Sequence, residues 1–134
     1  MRVAHWESML ADRLEAAHAE PFAWGTHDCA TWAFDLRRDL TGGADVAAEW
    51  RGRYRTALGA LRVMRRLGWS DLKAMGRDLL GAPLATPLLA RRGDLVLGGA
   101  DPAFGVCAGA RAAFLSPGGL VRLPLSSCAL AWRV

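Results

Sequence analysis

The sequence lacks any apolar run long enough to cross a membrane, and charged side chains in residues 1–20 replace the apolar core of a signal peptide. We therefore expect no membrane span and no export signal. Cysteine is also scarce. The three cysteines Cys29, Cys107 and Cys128 form no CxxC pair, which argues against a disulfide framework and against a structural zinc site. These absences favour a protein of a reducing compartment that uses no metal or other cofactor.

Lysine is nearly absent, and arginine carries almost all of the positive charge, since Lys73 is the only lysine among 17 lysine and arginine residues. No acidic residue occurs between Glu49 and Asp71. A basic span of this kind can follow a phosphate backbone or dock on an acidic protein surface, and it also fits a solvated helix face. The arginines of this span are our candidates for partner docking: Arg51, Arg53, Arg55, Arg62, Arg65 and Arg66.

The first two thirds of the chain have the periodicity of amphipathic helices. A length of 134 residues with 52% hydrophobic content suits one domain, residues 1–134, with a single core. In the third long helix, the pattern predicts an apolar face that includes Leu58, Leu61 and Met64. Thr26 and Ser70 are expected as helix caps, and Gly42 as a helix stop. The predicted helices cover residues 3–19, 28–40, 54–67 and 70–80, with a short helical turn at 44–50.

After Arg92, short apolar runs alternate with glycine and proline, which is typical of an antiparallel sheet. Helices followed by strands indicate an α+β fold, in which N-terminal helices pack on a small C-terminal sheet. The predicted strands cover residues 94–97, 104–108, 112–115, 120–123 and 129–134.

Cys29 is predicted to lie in the first turn of the second helix. Unpaired backbone N–H groups and the helix dipole favour a thiolate at that position, which would make Cys29 a candidate nucleophile. A packing role is the alternative, because Cys29 shares one helical stripe with Ala33, Leu36 and Leu40, and free cysteine is commonly buried.

Three segments resemble the NlpC-type branch of the papain-like cysteine peptidases, and more narrowly its small phage-tail-associated members. Residues 24–30 (WGTHDCA) resemble the segment that leads into the nucleophile helix of that family. Residues 92–96 (RGDLV) resemble the strand that opens its sheet, and residues 104–109 (FGVCAG) are similar to the next strand. The resemblance implies a papain-like fold in which Cys29 occupies the position of the nucleophile.

The sequence departs from this family at the catalytic histidine. The alignment of the strand glycines puts Ala103 where active members have the histidine, and no histidine follows His27. A papain-type mechanism needs an imidazole within hydrogen-bond reach of the sulfur. His27 is the only substitute base close in sequence, although we expect its side chain to point away from the sulfur. Asp28 can support the helix start, but its negative charge opposes thiolate formation.

The resemblance implies a tail-tip or baseplate protein of a phage, a prophage or a gene-transfer particle, located in the virion tail after synthesis in the bacterial host cytoplasm. The missing histidine favours a structural or degenerate member of the family. Its expected partners are other tail proteins, and peptidoglycan is a further candidate partner. One alternative is an active cysteine peptidase or amidase that acts on cell-wall peptides through Cys29. The other is an arginine-rich nucleic-acid-binding module, although nucleic acid is the least expected partner.

Overall fold

The α+β class predicted from the sequence is confirmed. A computed structural model describes residues 1–134, with four α-helices followed by a five-stranded antiparallel sheet. No helix is both long enough and apolar enough to cross a membrane. The helices are α1 (Trp6–Ala19), α2 (Cys29–Thr41), α3 (Ala57–Arg66) and α4 (Leu72–Leu80), and the strands are β1 (Leu95–Gly98), β2 (Ala103–Cys107), β3 (Arg111–Ser116), β4 (Gly119–Pro124) and β5 (Cys128–Trp132).

The sheet separates a large core from a small one. Its strand order is β4-β3-β2-β1-β5, so β1 lies between β2 and the last strand. Leu95 and Leu97 of β1 belong to the core shared with the helices, whereas Val96 belongs to a smaller cluster on the opposite face. This division follows from the alternation of side chains along a strand. Strand β1 is therefore buried on both faces.

Aromatic contacts fix α2 on the sheet. Phe34 of α2 packs edge-on against Phe104 of β2, with ring centroids 5.1 Å apart, and against Trp50, at 5.6 Å. Such pairs stabilise a core by about 0.5–1.5 kcal/mol beyond the area that they bury. The start of α2 is thereby held next to the start of β2.

Two predicted caps are wrong, and one predicted helix stop is confirmed. The carboxylate of Asp28, not Thr26, caps α2, and the carboxylate of Asp71, not Ser70, caps α4. In both cases the aspartate has extended backbone and its side chain accepts a hydrogen bond from an amide three residues later, as N-caps do. Gly42 ends α2 with a φ of 66°, which is the left-handed conformation that favours glycine.

Helix α3 presents a different face to the core than the sequence predicts. Val63 and Met64 are buried, but Leu58 is 58% exposed and Leu61 is 55% exposed. The helix begins only at Ala57 and contacts the core through a narrow stripe that also contains Ala60. The two leucines therefore remain on its outer surface.

A buried carboxylate connects the two ends of the chain. Asp94, just before β1, is fully buried and accepts hydrogen bonds from the guanidinium groups of Arg2 and Arg133, each at 3.0 Å. It also accepts one from the backbone N–H of Val134, at 3.0 Å. A buried charge needs such partners. Asp94 thus fastens both ends of the chain to the start of β1.

Candidate functional site

Asp28 organises the start of α2. Its carboxylate is buried and accepts three hydrogen bonds, from the N–H of Gly25 (2.8 Å), the N–H of Thr31 (2.9 Å) and the hydroxyl of Tyr54 (2.6 Å). Burial, together with this bond to Asp28, raises the pKa of Tyr54, so the phenol remains a donor. Asp28 thus connects the loop at Gly25 and the side chain of Tyr54 to the first turn of α2.

Only glycine fits at position 25. Its φ is 87°, and a Cβ atom there would lie 2.2 Å from the carbonyl oxygen of Tyr54. The carbonyl of Gly25 in turn accepts a hydrogen bond from the N–H of Gly52 at 2.9 Å. The loop before α2 is therefore pressed backbone to backbone against residues 52–54, which positions Trp24 at the entrance of the neighbouring cleft.

Cys29 lies in an apolar cleft of about 240 Å³ between the start of α2, helices α3 and α4, and the turn that joins β1 to β2. The side chain is partly exposed and packs against the main core. Polar lining comes from Asp28, Tyr54 and Asp101. The apolar lining consists of Trp24, Ala30, Ala57, Ala60, Leu61, Met64, Leu72 and Pro102.

The thiol of Cys29 is not activated. Burial, reinforced by the negative charge of Asp28, raises its pKa to about 11, although the backbone amides of Phe104 and Ala30 act to lower it. The expectation that the helix start favours a thiolate is therefore wrong, because desolvation in the apolar cleft exceeds the effect of the nearby amides. The negative charge of Asp28 opposes thiolate formation, as the sequence predicts. At neutral pH the sulfur is a neutral thiol.

His27 lies in a different cavity, of about 180 Å³, between α1 and α2. Its Nδ1 atom is 3.1 Å from the carbonyl oxygen of Pro21, and its Nε2 atom is 3.2 Å from the carboxylate of Glu20. Both ring nitrogens thus face groups of residues 20–21, and the cleft of Cys29 contains no histidine. This placement gives no support to His27 as a general base.

Ala103, which the resemblance aligns with the catalytic histidine, is the first residue of β2. It packs against the smaller cluster on the outer face of the sheet. Its neighbour Phe104 is the residue whose amide acts on the Cys29 sulfur. The thiol therefore lies beside the start of β2, but the side chain of Ala103 is only a methyl group. Alanine cannot exchange a proton.

The six candidate arginines separate into two groups. Arg51 pairs with Asp35 and with both carboxylate oxygens of Asp45 (2.8 and 2.9 Å), and these pairs raise its pKa. Its guanidinium belongs to an intramolecular network, so the assignment of Arg51 to partner docking is not supported. The others are exposed and form no ion pair within the chain: Arg53, Arg55, Arg62, Arg65 and Arg66.

Sequence reasoning missed two features of this region. The bond from Tyr54 to Asp28 joins residues 26 positions apart, and no local pattern signals it. The exposure of Leu58 and Leu61 was not predicted, because the spacing of apolar residues in α3 fits two adjacent stripes and only one of them faces the core. No group of three or more histidine, cysteine, aspartate or glutamate side chains is arranged to hold a metal ion.

The fold and the site define an α+β protein with a cysteine at the first residue of a helix, in an apolar cleft without an imidazole. The chain belongs to the family described as a domain of unknown function, DUF6950, whose model matches residues 1–134. A comparison with curated proteins finds no match.

Proposed function

We propose that this chain is a noncatalytic protein of papain-like architecture that serves as a structural component of a particle. The observation that carries the proposal is the separation of thiol and imidazole. Cys29, with a pKa of about 11, has no imidazole in its cleft, and His27 lies in another cavity, where its ring contacts Pro21 and Glu20. General acid–base catalysis contributes about 10² to 10⁴ in rate, so its loss leaves a scaffold without useful turnover.

The arrangement around the sulfur supports a papain-like origin. A cysteine begins a helix, the helix precedes an antiparallel sheet, and the sulfur lies beside the first residues of β2. Active relatives would supply the histidine from that strand. What supports kinship is this combination together with the resemblance of residues 24–30, 92–96 and 104–109. No imidazole lies beside the sulfur, and the side chain at position 103 packs on the opposite face of the sheet.

The setting that we propose is the tail tip or baseplate of a phage, a prophage or a gene-transfer particle, where the chain contacts other tail proteins. The support is the resemblance to small phage-tail-associated proteins and a surface with exposed arginines at positions 53, 55, 62, 65 and 66. Genes for tail proteins on both sides of this gene are the expected genomic neighbours. Neighbours unrelated to particle assembly would contradict the setting.

The absence of catalysis is tested with peptidoglycan fragments. The purified chain and its Cys29→Ala variant are incubated with soluble stem-peptide fragments, and the products are separated by mass spectrometry. We expect identical traces from both proteins, since a neutral thiol without a base does not attack an amide. Cleavage by the wild type that disappears in Cys29→Ala would establish the active peptidase or amidase and overturn the proposal.

A further inference from the structure

The exposed face of α3 combines apolar and cationic side chains. Leu58 and Arg62 are four residues apart, as are Leu61 and Arg65, so each leucine lies next to an arginine on the helix surface. Both leucines are more than half exposed. Arg66 extends the same face. We call these five residues the docking face: Leu58, Leu61, Arg62, Arg65 and Arg66.

The docking face continues into the cleft of Cys29. Leu61 lines that cleft, and a second groove, of about 350 Å³, shares Leu61, Leu72 and Pro102 with it. The second groove runs past Leu72 towards Lys73. One apolar path therefore leads from the outer surface of α3 down to the thiol.

The charges around this path are predominantly positive. None of the three arginines of the docking face has an ion-pair partner, and Lys73 lines the second groove. Three acids are near: Asp28 and Asp101 line the cleft, and Asp71 lines the groove. The carboxylate of Asp71 is already engaged by the N–H of Ala74 at 2.7 Å. Anionic groups from a partner would thus meet uncompensated cations.

We propose, on the basis of the noncatalytic function argued above, that the docking face binds an acidic segment of a partner protein, and that an apolar side chain of this segment inserts beside Cys29. Carboxylates of the segment pair with the arginines, while the inserted side chain removes Leu58 and Leu61 from water. The aliphatic character of these leucines favours protein over nucleic acid, because grooves for single strands place aromatic rings between their cations.

The proposal is tested by selecting short random peptides from a display library on the full-length chain. We expect the enriched peptides to contain aspartate or glutamate around one or two large apolar residues. Affinity for the best synthetic peptide, measured by fluorescence anisotropy, should fall about tenfold or more in the double variants Arg62→Glu with Arg65→Glu and Leu58→Ser with Leu61→Ser. A double variant on edge strand β4, Val121→Ser with Arg122→Glu, alters exposed residues of the same kinds and should bind normally.

Occupancy of the cleft is measured on the same complex. Bound peptide should slow the alkylation of Cys29, as followed by mass spectrometry, and should not change the labelling of Cys128. Enriched peptides without acidic residues, full affinity in either double variant, or an oligonucleotide that binds more tightly than the peptide would overturn the proposal. These outcomes leave the noncatalytic function intact, because that function is tested separately by the cleavage of peptidoglycan through Cys29.

Discussion

The two cavities beside the start of α2 differ in chemistry, because one contains an imidazole and the other a thiol. The cavity between α1 and α2 contains an imidazole and charged groups, from His27, Glu20, Arg13 and Asp35, but no nucleophile. The cleft on the other side contains the thiol of Cys29 among mainly apolar side chains, with the carboxylates of Asp28 and Asp101 but no imidazole. His27 and Cys29, which are two positions apart in the sequence, thus lie in different cavities. Residues that are close in sequence therefore need not share a site.

The separation arises where the chain passes through Asp28 into α2. As N-cap, Asp28 is extended, with φ −116° and ψ 178°. Extended backbone alone would put the side chains of His27 and Cys29 on the same side, and it is the turn into the helix directly after Asp28 that separates them. Asp28 itself is buried between the two cavities and held by Gly25, Thr31 and Tyr54.

The strongest way to break the comparison is Asp28→Ala. The substitution removes the helix cap and leaves three buried donors without an acceptor, so we expect a loss of about 3 kcal/mol in the free energy of unfolding. Urea denaturation followed by circular dichroism measures it. Asp71→Ala removes the exposed cap of α4 and is the matched control, with an expected loss of about 1 kcal/mol. Equal losses in the two variants would show that the contacts of Asp28 to Gly25 and Tyr54 contribute nothing.

A smaller effect is expected from Asp28→Asn on the thiol. The negative charge of Asp28 is the second cause of the raised pKa of Cys29, after burial, so its removal should lower that pKa. The alkylation rate of Cys29 at neutral pH should rise about twofold to tenfold, since one pKa unit is a factor of ten in thiolate. Circular dichroism verifies that the variant is folded. An unchanged or slower rate would mean that the charge of Asp28 does not reach the sulfur.

Much of the fold could be predicted because its signals are local. Gly42, which ends α2, is indicated by the residues next to it in the sequence. The same is true of the order of helices before strands. The site could be predicted only in part. The position of Cys29 at a helix start follows from the sequence, but its pKa depends on an apolar lining that α3, α4 and the β1–β2 turn bring together. Likewise, Arg51 is removed from the basic surface by Asp35, which is 16 residues away.

The smallest effect is expected from His27→Ala. The contacts of the ring with the carbonyl of Pro21 and with the exposed carboxylate of Glu20 are lost, and we expect a loss of about 1 kcal/mol in the free energy of unfolding. The alkylation rate of Cys29 should not change, because the imidazole lies in the other cavity. A clear fall in that rate would instead place His27 in proton exchange with the sulfur and remove the distinction between the cavities.

The most direct test of the central claim is the pH profile of Cys29 alkylation in the intact chain, resolved from Cys107 and Cys128 by mass-spectrometric peptide mapping. Only the thiolate reacts, so a pKa raised to about 11 predicts slow labelling at neutral pH and a rate that rises steadily as the pH increases from 8 to 11. Rapid labelling that reaches a plateau near neutral pH would reveal a thiolate held by a base, and would contradict the account of Cys29 as a neutral thiol in a noncatalytic cleft.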